Sequence, residues 1–325
     1  MKAGFTTCTT SYLGDARVLR ESFLNHNPGY RFFIFLIDKN IDPQFLTDPG
    51  IVDVKTIGIN EQLSDMYGRY NSLETCCALK PFVGKYLLQT YESIIYFDTD
   101  ILVMQPLTLI EDALKTDDIL LTPHHYKDEV VPQEKVLVRS GLANAGFFAV
   151  NRSDNGNAFL QWWSKKTFAE GYFNLYKDMY SDQMWLTFVP FYFDKVRLIR
   201  QPGTNIAIWN LDYRKITKKG EQFFVNNEYP LIFFHFSGFK LDVKNKTYKF
   251  PIESPSPAMK ELLDRYYQLL ISNKSDSLLV QFDKKNKKVP KGAYHHFKIR
   301  ALSKLQIMMK NFSAYLENKK KKYSS

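Results

Sequence analysis

The sequence predicts an α/β fold built around a parallel sheet, and three observations support that prediction. Strand-like and helix-like segments alternate through the first hundred residues, and strand, helix, strand is the repeating unit of parallel sheets. The run "YRFFIFLID" has no polar alternation, which is typical of a strand buried on both faces. Hydrophobic residues make up 45% of the 325 residues, with 26 Phe and 20 Tyr, which is ample for a large core.

The N-terminal elements follow one another in a regular order. A strand is predicted in "AGFTTCTT", which is rich in β-branched threonine. The next segment, "LGDARVLRESFLNHN", repeats apolar residues at helical spacing through Ala16, Leu19 and Phe23, and the Pro-Gly pair after it ends the helix. A second helix at residues 72–91 leads into "SIIYFDTDILV", residues 93–103, which we interpret as another buried strand.

Asp98 and Asp100 interrupt this apolar run two positions apart. Because side chains alternate along a strand, both carboxylates would leave the same face, near the C-terminal end where ligands bind in open α/β sheets. Burying two like charges side by side is unfavourable unless a cation or hydrogen-bond donors compensate, and hard divalent cations prefer carboxylate oxygens. The alternative is an exposed turn in which Asp-Thr-Asp only caps the strand.

Strand and turn signals continue into the second half through "DDILLTPHH", "AGFFAVN", "SDQMWLTFVPFYF" and "LIFFHFSGFK", with a helix at residues 157–169. The three prolines of "PIESPSP" then mark a boundary. We therefore predict a main domain of residues 1–250 and a C-terminal appendage of residues 251–325. The appendage contains two helical candidates, residues 258–272 and 297–317, joined by a Lys-rich link.

The net charge of +10 is concentrated in the tail. Residues 281–325 contain 13 Lys or Arg and 2 Asp or Glu, whereas residues 1–280 contain 31 and 32 of the two kinds. A nucleic-acid channel through the body is not expected, because such a channel places basic residues in the folded domain. The tail is instead expected to meet an anionic partner.

Four separated motifs resemble those of glycosyltransferase family 8, in the order of that family. "YFDTDILV" resembles the DxD motif of GT-A glycosyltransferases and is preceded, as in those enzymes, by a helix, "ALKPFVGKYLL". "ANAGFFAVN" and "SDQMW" resemble the family's Asn-Ala-Gly and Asp-Gln segments, and "HFSGFK" matches its HxxGxxK pattern. The opening "TTCTTSYLGDARVLRESF" is also similar, so the resemblance covers roughly residues 3–242. "PGTNIAIWNLDYR" is similar to a stretch in bacterial surface-polysaccharide members of this group, which also includes glycogenin and bacterial galactosyltransferases of lipooligosaccharide synthesis.

The resemblance implies a GT-A fold, that is, a Rossmann-like mixed sheet flanked by helices. It also implies a metal-dependent hexosyltransferase that retains the anomeric configuration and extends a glycan or lipid-linked acceptor in cell-surface polysaccharide synthesis. The donor would be a nucleotide sugar, usually a UDP-sugar. Asp98 and Asp100 would hold Mn²⁺ or Mg²⁺, which neutralises the leaving diphosphate as a Lewis acid. His235 would be the third ligand, and its imidazole suits Mn²⁺ better than Mg²⁺.

The remaining site residues are also implied by the resemblance. Lys240 would approach the diphosphate as a mobile positive charge, and Gly238 would let the backbone come near the phosphates. Gln183 and Asp182 would stabilise the cation-like sugar while the leaving diphosphate helps to deprotonate the acceptor. The donor pocket would further include Asp98 beside its metal role, Asn144 lining the sugar, Lys80 on phosphate or sugar, Tyr12 stacked on the base, and Thr7 and Thr9 in the same nucleotide pocket.

Several of these residues have a second interpretation. His235 also fits a core histidine in the apolar run "LIFFHF", Lys80 an exposed lysine, and Tyr12 a packing residue. Asp182 also fits a helix N-cap before "QMWLTF", since Asp is a preferred cap. No further acidic residue directly follows "DTD", so the predicted metal site depends on His235 together with the two aspartates.

The two ends of the chain bear on its location. No window reaches the roughly 18 consecutive apolar residues that a membrane span needs, and "MKAGFTTCTT" has no apolar signal core, so we expect a cytoplasmic body. "FKIRALSKLQIMMKNFSAYL", followed by "NKKKK", is typical of a basic amphipathic helix. It predicts peripheral binding to the anionic inner face of the cytoplasmic membrane. Alternatively, this helix packs on the body and only the Lys tail frays.

Two other functions remain open at this point. A nucleotidyltransferase also combines paired carboxylates with a nucleotide, but it usually has a Gly-rich, basic N-terminal loop, from which "TTCTTSYLGDAR" differs. A non-catalytic carbohydrate-binding or membrane-binding module on a transferase fold would have no need of a metal and leaving-group apparatus. No nucleic-acid partner is expected.

Overall fold

A seven-stranded sheet forms the centre of the computed structural model, which describes residues 1–126, 137–174, 177–242 and 245–273. All of these residues belong to one unit, Met1–Val280. The strands in chain order are β1 (Lys2–Cys8), β2 (Tyr30–Leu36), β3 (Ile51–Asp53), β4 (Ser93–Phe97), β5 (Ile101–Val103), β6 (Ile119–Pro123), β7 (Ala143–Asn151), β8 (Phe173–Asn174), β9 (Met179–Tyr180), β10 (Val196–Leu198), β11 (Ile216–Lys219), β12 (Gln222–Val225), β13 (Tyr229–Pro230), β14 (Phe233–His235), β15 (Lys240–Asp242) and β16 (Thr247–Lys249).

The sheet is mixed, with the order β10-β6-β7-β4-β1-β2-β3. β1 runs parallel to both β2 and β4, β2 runs parallel to β3, and β6 runs parallel to β10. β7 is antiparallel to its two neighbours, β4 and β6. The predicted α/β fold with a mixed sheet is therefore confirmed, and the strand-helix-strand pattern of the first hundred residues corresponds to the parallel block β4-β1-β2-β3.

Helices cover the sheet. The α-helices in chain order are α1 (Leu13–His26), α2 (Asn60–Arg69), α3 (Ser72–Leu88), α4 (Thr108–Leu114), α5 (Asp154–Glu170), α6 (Val189–Tyr192) and α7 (Pro257–Asn273). Short 3-10 helices lie at Thr10–Tyr12, Pro43–Leu46, Val54–Ile57, Met184–Phe188 and Ile208–Asn210. α3 begins at a capping box, in which Asn71 Oδ1 accepts from the Glu74 amide at 3.0 Å and Glu74 Oε2 accepts from the Asn71 amide at 2.9 Å.

Most predicted helices are confirmed with shifted ends. Those expected at residues 72–91, 157–169 and 258–272 are α3, α5 and α7. The segment "SDQMWLTFVPFYF", where the sequence signals favoured strand, instead forms a 3-10 helix followed by α6. Pro190 accounts for part of this difference, because proline fits the first turn of a helix but removes a hydrogen bond from a sheet.

Alternating side chains of the central strands fill two cores, one on each face of the sheet. On one face Ile94 and Tyr96 of β4 pack with residues of α2, α3 and α5. On the other face Ile95 and Phe97 pack with residues of α1 and α4. The sheet is thus buried on both sides, as the continuous apolar runs indicate.

The run expected to be one strand at residues 93–103 is two strands joined by a turn. β4 stays in the main sheet, whereas β5 pairs antiparallel with β14. At the turn, the Ile101 amide donates to the Asp98 carbonyl at 3.1 Å and the Phe236 amide donates to the Asp100 carbonyl at 2.7 Å. The prediction that Asp98 and Asp100 leave one face of a strand is therefore wrong. The register of the new pair sets His235 opposite Ile101, directly beside Asp100.

The chain after residue 250 adds a third core within the described residues. Met259, Leu262 and Tyr266 of α7 pack with Phe234 and Phe236, and the rings of Tyr266 and Phe236 stack with their centroids 3.8 Å apart. The domain boundary at residue 250 stays a prediction. The second helical candidate of the appendage, residues 297–317, lies outside the described residues. Among the helices that the structure describes, none combines the length and apolar character of a membrane span.

Candidate active site

Asp98, Asp100 and His235 converge at the C-terminal end of β4. A ligand atom of each lies within 4.8 Å of the other two. His235 Nε2 is 3.0 Å from Asp100 Oδ1 and 3.9 Å from Asp98 Oδ2. His235 is buried, as a core histidine would be, and its imidazole faces two carboxylates. Two carboxylate oxygens and one imidazole nitrogen are a donor set that divalent transition metals accept.

The electrostatics of this cluster are dominated by negative charge. Burial acts to lower the pKa of His235, but the Asp100 carboxylate, helped by Asp98, outweighs burial and raises it. Burial likewise acts to raise the pKa of Asp100, and His235 outweighs it and lowers that pKa. When the imidazole is neutral, Lys80 supplies one positive charge, and the carboxylates of Asp98, Asp100 and Asp182 supply three negative ones. The ionised site then carries two net negative charges. A divalent cation would balance them.

Lys80 joins the cluster of Asp98, Asp100 and His235 to a third carboxylate, that of Asp182. It is only 3% exposed, and Nζ lies 3.1 Å from Asp98 Oδ1 and 3.0 Å from Asp182 Oδ2. The ammonium also donates to the Ala145 carbonyl at 3.0 Å and lies 4.8 Å from the centre of the Tyr96 ring. The alternative interpretation of Lys80 as an exposed lysine is wrong, because α3 packs directly against β1 and β4 and turns this side chain inward.

Asp182 is held by this contact rather than by a helix end. The 3-10 helix Met184–Phe188 begins after Gln183 and has no side-chain cap, so the N-cap interpretation of Asp182 is wrong. Trp163 Nε1 donates to the Asp182 carbonyl at 3.0 Å and fixes the backbone there. Burial raises the pKa of Asp182, and Lys80 only partly offsets it.

Asn144 and Gln183 form a hydrogen-bonded chain beside the cluster. Gln183 Oε1 accepts from Asn144 Nδ2 at 3.0 Å and from the Ala145 amide at 3.2 Å, and its Nε2 donates to the Ser140 carbonyl at 2.8 Å. Gly141 makes this approach possible. Its φ is +104°, and a Cβ there would lie 2.7 Å from the Gln183 carbonyl oxygen.

Two residues that sequence reasoning missed complete the contacts of the aspartate and the histidine. Tyr96 donates its hydroxyl to Asp98 Oδ1 at 2.6 Å and lies 3.5 Å from Thr7 Oγ1, which connects Thr7 to the cluster. At Gly146, the backbone of β7 lies close to the imidazole of His235. A Cβ at Gly146 would lie 2.6 Å from His235 Cε1 and 2.7 Å from Asn144 Oδ1. Tyr96 was detectable by its strand spacing from Asp98, and Gly146 stands within "ANAG".

His124 and Trp209 border the other side of His235 and were also missed. The Trp209 ring meets the rings of His235 and His124 edge-on, with centroids 5.2 Å and 5.4 Å away. His124 Nε2 lies 3.3 Å from Asn144 Nδ2. Trp209 belongs to "PGTNIAIWNLDYR", and the His235 amide holds that segment by donating to the Ile206 carbonyl at 2.7 Å.

The remaining predicted residues are less closely connected. Thr9 is buried, and its hydroxyl lies 2.7 Å from Ser11 Oγ. Tyr12 is 56% exposed and directly precedes α1. Partial burial is the main cause that raises the pKa of its hydroxyl, and the charges of Asp15 and Asp100 add to it. Gly238 has a φ of +86° in the turn after β14. Lys240 is exposed at the start of β15 and forms none of the ion pairs found among the described residues.

Comparison with known proteins identifies the fold. No protein-family model matches the chain. Two uncharacterized proteins of Bacillus subtilis strain 168 are similar in sequence. YfnF is 27% identical over 192 residues, which cover 56% of this chain and 62% of YfnF. YfnD is 29% identical over 173 residues, which cover 52% of this chain and 54% of YfnD. The chain thus spans less than two thirds of either relative.

The structural likeness is more extensive. The crystal structure of galactosyltransferase LgtC in complex with donor and acceptor sugar analogues covers 84% of this chain and 96% of its own, with a TM-score of 0.52 at 16% identity. An active-site mutant of LgtC matches over the same shares with a TM-score of 0.50 at 17% identity. The chain therefore has the mixed α/β fold of the GT-A glycosyltransferases.

Proposed function

We propose that this protein is a metal-dependent, retaining hexosyltransferase that uses a nucleotide sugar, with a UDP-sugar as the expected donor. The observation that supports this most strongly is the cluster of Asp98, Asp100 and His235 at the C-terminal end of β4, tied through Lys80 to Asp182. A purely structural site has little reason to gather a buried lysine, a buried carboxylate and two half-buried carboxylates, since burying charges costs free energy.

The cluster fits a divalent metal, Mn²⁺ in preference to Mg²⁺ because one donor is an imidazole nitrogen. Asp98, Asp100 and His235 would hold it, and the chemistry that the cation supplies is neutralisation of negative charge on the leaving diphosphate. Gly146 leaves room for the imidazole beside β7. Lys240, Gly238, Thr7, Thr9 and Tyr12 are proposed to contact the nucleotide and its phosphates.

Asp182, Gln183 and Asn144 are proposed to hold the transferred sugar. The Gln183 amide is fixed at both ends, by Asn144 Nδ2 and the Ala145 amide on its oxygen and by the Ser140 carbonyl on its nitrogen. A carbonyl oxygen oriented in advance stabilises positive charge developing on the sugar without reorganising. Asp182 adds a negative charge in the same pocket. Transfer with retention then needs no enzyme nucleophile, provided that the leaving diphosphate accepts the acceptor's proton.

The acceptor is proposed to be a glycan or a lipid-linked sugar of cell-surface polysaccharide synthesis. The basic tail, which lies outside the described residues, is proposed to hold the protein on the inner face of the cytoplasmic membrane. Its 13 basic and 2 acidic residues support this. Flotation with anionic liposomes compares the whole chain with a chain that ends after residue 273, and equal binding of the two would contradict the tail's role.

The function is tested by measuring UDP release from a panel of UDP-sugars, with Mn²⁺ or with a chelator. The expected result is release that requires Mn²⁺ and is lost in Asp100→Ala. The matched control is Asp112→Ala, which removes an exposed carboxylate of α4 paired with Lys115. Activity that survives both chelation and Asp100→Ala would overturn the metal role. Release of pyrophosphate from UTP and a sugar 1-phosphate, with no UDP released from the UDP-sugars, would favour a nucleotidyltransferase. Thermal stabilisation by a UDP-sugar without turnover would favour a binding module.

A further inference from the structure

A patch of aromatic side chains, three exposed and two half-buried, lies around α6. We name it the aromatic patch and define it as Trp162, Trp185, Phe188, Phe191 and Tyr192. Phe191 is 80% exposed, Tyr192 59% and Phe188 38%. Four of the five rings contact one another in a chain. Phe188 stacks on Tyr192 at 5.7 Å between centroids, Trp162 meets Tyr192 at 5.8 Å, and Trp185 lies 6.4 Å from Phe188.

The exposure of these rings is set by the core beneath them. Leu186 and Val189 of the same segment are fully buried against α5 and the central sheet. Val189 points into the core from a helix of one turn, and Phe191, two positions later, lies on the opposite side of that turn. Tyr192 ends the turn and is also exposed. The segment is therefore anchored, and its outer rings remain in water. A contiguous apolar surface of this kind marks a contact with a partner or a membrane.

Lysine side chains form a rim along one side of the aromatic patch. Lys166 Nζ lies 5.0 Å from the centre of the Trp185 ring. Lys165 is exposed on the same helix. Partial burial lowers the pKa of Lys85, and the nearby charge of Lys165 lowers it further. None of these three lysines belongs to an ion pair found among residues 1–126, 137–174, 177–242 and 245–273. Glu170 is the one acidic residue in the second half of α5.

We propose that the aromatic patch and its lysine rim form a second membrane-contact surface, separate from the C-terminal tail, on which the rings enter the headgroup region of an anionic bilayer. Tyr and Trp favour this region because one end of each ring is apolar and the other is polar. Lysines beside the rings suit anionic headgroups. A second copy of this chain is disfavoured as the occupant, since the lysine rims of two copies would repel each other where the patches met.

A membrane contact through the aromatic patch would place the bilayer close to Gln183. Gln183 lies directly before the 3-10 helix that carries Trp185 and Phe188, so the bilayer surface would lie beside the candidate sugar pocket. Only this consequence, delivery of a lipid-linked acceptor to the pocket, rests on the proposed function. The surface contact itself does not.

The test uses the full chain and vesicles of phosphatidylglycerol or phosphatidylcholine. Phe191→Ser with Tyr192→Ser is expected to lower binding to phosphatidylglycerol vesicles about tenfold, because two rings no longer enter the interface. The control is Leu109→Ser, which removes an exposed apolar side chain of α4, on the opposite face of the sheet. Urea denaturation shows whether the double variant is folded, and its UDP release tests the proposed function separately from membrane binding.

A second measurement does not depend on removing exposed rings. Brominated lipids are expected to quench the tryptophan fluorescence of the unmodified chain, and Trp162→Phe with Trp185→Phe is expected to abolish the quenching, since the other two tryptophans are Trp163 and Trp209. Vesicle binding by Phe191→Ser with Tyr192→Ser equal to that of the unmodified chain would overturn the proposal. So would quenching that persists without the two patch tryptophans, or a dimer in light scattering that only the patch variants dissociate.

Discussion

Lys80 Nζ lies 3.0 Å from Asp182 Oδ2, and both side chains are almost completely buried. The same ammonium lies 3.1 Å from Asp98 Oδ1. One cation therefore links a proposed metal ligand to the proposed sugar pocket. Burial acts to lower the pKa of Lys80, but Asp182 and Asp98 outweigh it and raise that pKa well above its usual value, so Lys80 stays charged.

Removing the Lys80 charge is expected to destabilise the fold. Lys80→Met leaves the buried carboxylate of Asp182 and the half-buried one of Asp98 without their cation. Breaking a buried pair in this way costs about 3 kcal/mol of unfolding free energy. Denaturation by urea measures it, with Lys80→Arg as the control that keeps the charge. An unfolding free energy of Lys80→Met equal to that of the unmodified chain would contradict the bridging role.

Neutralising Asp182 is expected to affect turnover more than stability. Asp182→Asn keeps the volume of the side chain, and Lys80 still has Asp98 as a partner. The lost negative charge would act mainly on the cation-like sugar, so kcat should fall about a hundredfold with little change in KM for the donor. Steady-state kinetics measures both, beside Asp112→Asn on the exposed face of α4. A rise in KM at constant kcat would instead assign Asp182 to ground-state binding.

Gly146→Ala is expected to weaken metal binding. The added methyl group would lie 2.6 Å from His235 Cε1, so the imidazole must move, and displaced ligands typically lose about tenfold in affinity. Calorimetric titration with Mn²⁺ measures it. The control is Gly68→Ala in α2, where a Cβ meets nothing within 4 Å. Unchanged Mn²⁺ affinity in Gly146→Ala would show that the space beside β7 is not needed.

His124 gives the fold a dependence on pH. Burial lowers its pKa from 6.5 to about 4, so the folded protein keeps the imidazole neutral while the unfolded chain binds a proton. Its contribution to stability is complete above about pH 6.5 and is lost as the pH falls toward 4. Between pH 7.5 and 5 the unmodified chain should lose about 2 kcal/mol more than His124→Gln. Urea denaturation at both pH values checks this, and equal losses in the two proteins would refute it.

The sequence predicted that Asp98, Asp100 and His235 lie together, but it did not predict how they are arranged. Asp98 and Asp100 were predicted as ligands because like charges in an apolar run are unfavourable without a partner. His235 was predicted from its motif. The turn between β4 and β5 was not predictable, since it depends on β14 pairing with β5 from about 130 residues away. An apolar run carries no signal for which sheet each half joins.

The burial of Lys80 shows the same limit more sharply. In "ALKPF" a lysine at this position of a helix reads equally well as exposed or as functional. Only the packing of α3 against the sheet determines that Lys80 is buried. That packing places Lys80 next to Asp182, which belongs to a segment about 100 residues later. Trp209 and His124 were missed for a related reason, because Trp209 meets His235, and His124 meets Trp209, through contacts between segments that are distant in the sequence.

Asp98, Asp100 and His235 are proposed to form one metal centre, and direct Mn²⁺ binding tests this most closely. Electron paramagnetic resonance of free Mn²⁺ during titration, with and without UDP, counts the bound ions. We expect one Mn²⁺ per chain in the unmodified protein and none, at the same concentrations, in Asp100→Ala or His235→Ala. One Mn²⁺ per chain bound with unchanged affinity in both variants would contradict it.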